Sequence, residues 1–149
     1  DSFRTLSIGG KTTALGLSQE YGLYRPERNL EGVVFRWTRG EAAWTVNISG
    51  KRLLLPVTIS HPDAAERPVL VRVSLGGPLM KKAVLLGEAE WTGPGRKILE
   101  FEIPPGYSGE GMIGVVVDRT WTPAESGDEN DPRRLGAAVE KAEFAGDML

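Results

Sequence analysis

The 149-residue chain contains no cysteine and a single histidine. The first absence excludes disulfides, thiolate nucleophiles and Cys-based zinc sites, and the second excludes a histidine cluster for metal. Neither sign of charge dominates: 18 Lys and Arg stand against 20 Asp and Glu, a net charge of −2. A nucleic-acid partner calls for a basic face, which this balance does not supply. Long apolar runs are also missing, since none nears the ~20 residues that cross a bilayer as a helix. Nothing at the amino end has the pattern of a signal peptide, and the chain opens on Asp1, as a piece cut from a longer protein would. Gly-rich phosphate cradles and the Gly-x-Ser-x-Gly elbow are absent, the 19 glycines being scattered at turns.

What remains is strand after strand. "VVFRWT" (33–38), "AAWTVNIS" (42–49) and "RLLLPVTIS" (52–60) are short runs rich in Val, Ile, Thr and Trp, broken by "RGE" and "GK". In "RPVLVRVSLGG" (67–77), Val69, Val71, Val73 and Leu75 alternate with Leu70, Arg72 and Ser74, so one face is buried. "KAVLLGEAEW" (82–91), "KILEFEIP" (97–104) and "MIGVVVDRT" (112–120) follow at spacings near ten residues. In the second of these, Ile98, Leu99, Phe101 and Ile103 supply the apolar side and Glu100 and Glu102 face out; Pro104 and Pro105 end it, having no N–H for the ladder. Residues 134–146 fit either an amphipathic helix or a strand, and the all-β surroundings favour the strand. The expectation is an all-β fold, one antiparallel β-sandwich domain over 1–149 of jelly-roll type, with 1–19 as a flexible lead or an edge strand. At this length a single domain buries ~68–70% of the surface exposed by its unfolded chain.

Two segments carry candidate chemistry. "LGLSQEYGLYRPERN" sets Tyr24 and Glu27 ahead of Phe35, Arg36 and Trp37, where a packing role has Tyr24 and Trp37 capping the core and Arg36 paired with Glu27. A binding role instead gathers Tyr24, Glu27 and Arg36 at one end of the sandwich, beside "DRTWTPAESGDENDPRRLG" (118–136). In that loop Arg133 can fork to a carboxylate such as Asp118, Glu125 or Asp131 and lock the corner. Asp128, Glu129, Asn130 and Asp131 are hard oxygen donors of the kind calcium takes, although the spacing of a calcium loop is absent and Asp128 and Asp131 are weak candidates. Trp121 could stack on a sugar ring while Asn130, Asp131 and Arg133 take its hydroxyls. Glu27 with Glu125 or Asp131 keeps a glycoside-hydrolase pair open, which needs carboxylates ~5–9.5 Å apart. His61, just past a strand in "ISHPD", reads as a turn residue, because adjacent Ser60 points to the opposite face and no triad forms.

The spaced residues Gly22, Tyr24, Pro26 and Glu27, then Phe35 to Thr38, then Trp121, Pro123, Gly127, Asp131, Arg133, Leu135 and Gly136, resemble a bacterial β-sandwich domain. That domain is extracytoplasmic and follows the multi-span region of protein-mannosyltransferase-like glycosyltransferases; it also occurs in related cell-envelope sugar proteins. The likeness spans about residues 20 to 145, and the stretch from Gly127 to Asp131 is a residue longer than the usual pattern. It implies a non-catalytic, carbohydrate-facing accessory module with no cofactor, attached to a membrane domain and meeting a glycan or glycolipid. The ligand-binding candidates are Tyr24, Glu27, Arg36, Trp121, Asn130, Asp131 and Arg133. The alternatives are a spacer or interaction domain and, more distantly, a hydrolase.

Overall fold

Alternation of apolar and polar side chains governs the strands. In a computed structural model that describes residues 19–128 and 130–146, β5 (Val69–Gly76) buries Val69, Val71, Val73 and Leu75. β4 (Arg52–Ile59) does the same with Leu53, Leu55, Val57 and Ile59, and these two rows face each other in one core. Ahead of them lie β1 (Glu20–Leu23), β2 (Glu27–Arg28) and β3 (Val34–Ile48); after them come β6 (Val84–Trp91), β7 (Gly95–Glu102) and β8 (Gly109–Val117). The last two are β9 (Ala138–Glu140) and β10 (Glu143–Ala145). The expectation for residues 1–18 lies outside the described residues.

All pairings are antiparallel. One sheet runs β1, the carboxyl half of β3, β8, β5, β6. The other runs β2, the amino half of β3, then β9 and β10 end to end, β4 and β7. This is a sandwich in jelly-roll order, with β3 crossing from one sheet to the other. Segment 134–146 is therefore extended and not helical, with strands at 138–140 and 143–145 and an isolated bridge at Leu135.

Two strand expectations need correction. "VVFRWT" and "AAWTVNIS" are one 15-residue strand, and "RGE" does not break it. β1 pairs β3 on both sides of the crossing, at Tyr21–Ala43 and Leu23–Thr38, and a register shift between Tyr21 and Leu23 takes up the bend. Gly22 sits there at φ 74°, and a Cβ on it would fall 1.9 Å from the Glu41 carbonyl oxygen. Ile98 also turns away from the core, 55% exposed, while Leu99, Phe101 and Ile103 pack inward. The period of two requires this, since Ile98 shares its face with Glu100.

Candidate functional site

The 118–136 loop is built as an ordered corner. Asp118 ties the end of β8 to β5, its N–H donating to the Leu70 carbonyl and its Oδ1 accepting from the Leu70 N–H, both at 3.0 Å. Trp121 and Leu135 exchange two backbone hydrogen bonds, of 2.9 and 2.7 Å, which close the neck of the loop. Within it, a 3-10 turn over Pro123–Ser126 ends at Gly127, whose φ of 113° suits glycine. The returning chain then lies on β3: Gly136 N–H donates to the Thr38 carbonyl at 2.7 Å and Ala137 N–H to Thr38 Oγ1 at 3.0 Å.

Arg133 joins this corner to the amino-terminal segment. Its Nε and Nη2 grip Asp131 Oδ1 and Oδ2 at 2.9 and 2.7 Å, and its Nη1 donates to Glu27 Oε2 at 2.7 Å. Of the three carboxylates expected for Arg133, the structure supplies Asp131. Asp118 is taken by Leu70, Glu125 is exposed, and Glu27, 106 residues away, completes the lock. The hydrogen bonds from Arg133 hold the Asp131 carboxyl below its ordinary value, and the two carboxylates raise the guanidinium. Tyr24 stands beneath the cations, its ring centroid 4.9 Å from the Arg39 guanidinium and 5.4 Å from that of Arg133; its hydroxyl donates to the Arg134 carbonyl at 3.1 Å.

Above this lock lies a shallow recess of about 430 Å³, lined by Glu27, Phe35, Trp37, Trp121, Pro123, Asp128, Asp131, Arg133 and Leu135. Trp37 and Trp121 meet edge to face with centroids 6.1 Å apart, and Phe35 meets Trp37 in the same way at 5.9 Å. Trp121 is half-buried, with its Nε1 enclosed and His61 on one side at 6.2 Å. It serves both as wall of the recess and as packing for the corner.

Tyr24, Arg36 and Asn130 do not line this recess, Tyr24 lying beneath Arg39 and Arg133 instead. Alternate residues of β3 face opposite ways, so Arg36 shares its face with Val139 while Phe35 and Trp37 face out. The expected pair with Glu27 is replaced by a two-pronged pair with Glu20, at 2.8 and 2.7 Å, and Arg36 Nε donates to the Tyr24 carbonyl at 2.7 Å. Asn130 is exposed, its N–H donating to Asp128 Oδ1 at 3.3 Å. For calcium, both Asp131 oxygens are engaged by Arg133, and among the described residues no group of three or more His, Asp or Glu is arranged around a metal. Glu129 lies outside the described residues. A larger apolar recess, about 640 Å³, opens between the sheets beside Leu23, Val46, Val139 and Phe144, but these side chains belong to the core.

Sequence reasoning missed two features. His61 does begin a turn, its carbonyl accepting from the Ala64 N–H at 3.1 Å, but its side chain is fully buried, its Nε2 lies 2.7 Å from the Arg119 carbonyl, and burial pushes its pKa down. The signal was present, because His61 continues the buried period of two through Leu53, Leu55, Val57 and Ile59. The other is the aromatic wall itself, since the packing role puts Trp37, with Tyr24, on the core, and the binding role includes neither Phe35 nor Trp37.

No family model matches this chain, and no curated protein does. Among solved structures it is similar to a family 29 carbohydrate-binding module, with 6% identity over 87% of this chain and 81% of that one and a TM-score of 0.49. It is similar, too, to the CBM36-1 domain of a multidomain xylanase from the hindgut metagenome of Trinervitermes trinervoides, with 13% identity, 88% and 100% coverage and a TM-score of 0.44. A third is a carbohydrate-binding module from Cellvibrio mixtus lichenase 5A in complex with cellotriose, with 11% identity, 83% and 89% coverage and a TM-score of 0.37. These structural neighbours are β-sandwich carbohydrate-binding modules.

Proposed function

We propose that this domain is a non-catalytic carbohydrate-binding module, extracytoplasmic and accessory to a membrane-associated sugar-transfer protein. The observation that carries the binding role is the single recess in which Trp37 and Trp121 stand beside Glu27, Asp131 and Arg133. Sugar rings offer apolar C–H faces to aromatic side chains and hydroxyl edges to planar polar groups, and both kinds of partner are fixed here before a ligand arrives. Arg133 holds its two carboxylates in place, so little ordering cost remains for binding. The membrane setting rests on the spaced motif residues alone.

The same lock argues against hydrolysis. A general acid needs a carboxyl with a raised pKa, and Arg133 moves Asp131 the other way. A spacer role draws its support from the same contacts, because Nε, Nη1 and Nη2 of Arg133 are all engaged within the chain.

A glycan array followed by tryptophan fluorescence titration separates the two. A binding module retains at least one glycan, with single-site affinity in the micromolar to millimolar range (about −8 to −4 kcal/mol). Trp121→Ala removes the response. Because Trp121 also packs the corner, Asp128→Ala, at an exposed position on the recess and outside the lock, is the second variant and weakens binding at the cost of only the exposed 3.3 Å bond from the Asn130 N–H. If the wild type retains no glycan, the spacer role stands.

A further inference from the structure

The outer face of the second sheet continues past Trp37. Cross-strand partners point to the same face, and the pairs Trp37–Ala138, Ala138–Thr58 and Thr58–Arg96 set four residues in a row across β3, β9, β4 and β7. Three strand spacings separate the ends of the row, roughly 14 Å. Along the row between them stand the methyl group of Ala138 and the short side chain of Thr58, which form the floor of a trough also lined by Asn29, Glu31 and Val33. Trp37 and Phe35 make one wall. Arg96 is rooted at the other end, and its guanidinium reaches back across β4 to Glu140, the cross-strand neighbour of Phe35, with two hydrogen bonds of 2.8 and 3.0 Å, so that this pair flanks the trough. This trough is a recess of about 470 Å³, and Phe35 and Trp37 line both it and the recess beside Arg133. Two compartments therefore share one aromatic wall, each with an arginine–carboxylate pair facing it.

We propose that the trough is a second sugar subsite and that the ligand is an oligosaccharide chain held along its length, not a single terminal sugar; this rests on the carbohydrate-binding role proposed above. A guanidinium carries five donors and a carboxylate about four acceptor positions, so the two bonds between Arg96 and Glu140 leave both groups with capacity for hydroxyls. Arg96 is half exposed on its side chain and Glu140 only 16%, which leaves the donors accessible over a largely covered anchor. A chain crossing from one compartment to the other passes over Trp37, where an inner sugar ring meets an aromatic surface.

The test is an array bearing each glycan series at one to six residues, read with the wild type, Arg96→Ala and, as control, Arg72→Ala on the opposite sheet. Within any retained series, the trisaccharide is held at least about ten-fold more tightly than the monosaccharide, the equivalent of one charge-assisted hydrogen bond. Arg96→Ala erases that gain with length, and Arg72→Ala keeps it. Equal retention of monosaccharide and trisaccharide by the wild type overturns the second subsite while leaving the first. An unchanged length dependence in Arg96→Ala, with its melting temperature preserved, overturns it as well. Retention of no glycan at any length removes the carbohydrate role itself and this inference with it.

Discussion

The motif residues divide by what they touch. Gly22, Thr38, Leu135 and Gly136 build the frame: they sit at the β3 crossing and at the neck of the corner, where backbone meets backbone. Glu27, Phe35, Trp37, Trp121, Pro123, Asp131 and Arg133 face the recess, which Leu135 also lines. Arg133 belongs to both groups, and its side chain retains 31% exposure against 37% for Glu27 and 20% for Asp131. Such a partly covered pair falls between exposed ion pairs and buried ones, so Arg133→Ala costs about 1–3 kcal/mol and frees the loop. Thermal denaturation and limited proteolysis around residues 127–133 check this; an unchanged melting temperature with unchanged cleavage would show that Arg133 is merely a solvated charge. The sequence made Arg133 legible as the cation of a lock, with Asp131 one of three candidate carboxylates within its loop. Glu27 as the third member was hidden, since only the folded chain brings positions 106 residues apart into contact.

Strand positions were legible wherever burial alternates strictly, as in β4 and β5, because the pattern is itself the physical cause of the strand. The continuity of β3 was not. Arg39, Gly40 and Glu41 carry turn chemistry, and the strand runs on through them because β1 pairs Thr38 and Ala43 on either side of the bend and β8 takes up Glu41. The crossing has a second support in Gly136, where the returning chain presses against β3. A Cβ there would fall 2.4 Å from the Arg39 carbonyl oxygen and 2.6 Å from Thr38 Oγ1. Backbone on one side and a fully buried, hydrogen-bonded threonine on the other leave little room to give. Gly136→Ala therefore destabilises the domain by at least ~2 kcal/mol, as overpacking of a fixed contact does. Chemical denaturation measures it, and Gly93→Ala, with open space around its Cβ position, is the control that stays within ~0.5 kcal/mol. Equal midpoints for the two variants would mean that the neck of the corner yields freely.

For the whole molecule, the shifted histidine and carboxylates act in one direction as the pH falls below neutrality. His61 is enclosed by the fold, and loss of water, the largest influence, holds its pKa below the ordinary value; the Arg119 carbonyl pulls the other way, the Arg119 cation adds to the lowering, and Asp63 and Asp118 oppose it. The unfolded chain thus takes up this proton first. Stability from His61 is complete above about pH 6.5 and drains away as the pH falls from there toward the depressed folded value. Glu20, Asp131 and Glu140 are lowered chiefly by their hydrogen bonds to Arg36, Arg133 and Arg96. Their contribution is present above the ordinary carboxylate range and is lost below about pH 4.5. The melting temperature is therefore level above neutrality, declines through the histidine window, and falls again in the carboxylate window. His61→Gln shifts the curve as a whole through altered packing, but it removes the upper decline and leaves the lower one. Scanning calorimetry from about pH 8 to about pH 3 reads both steps. A melting temperature that stays flat between about pH 7 and pH 5 in the wild type sinks the assignment of the first step to a buried, neutral His61.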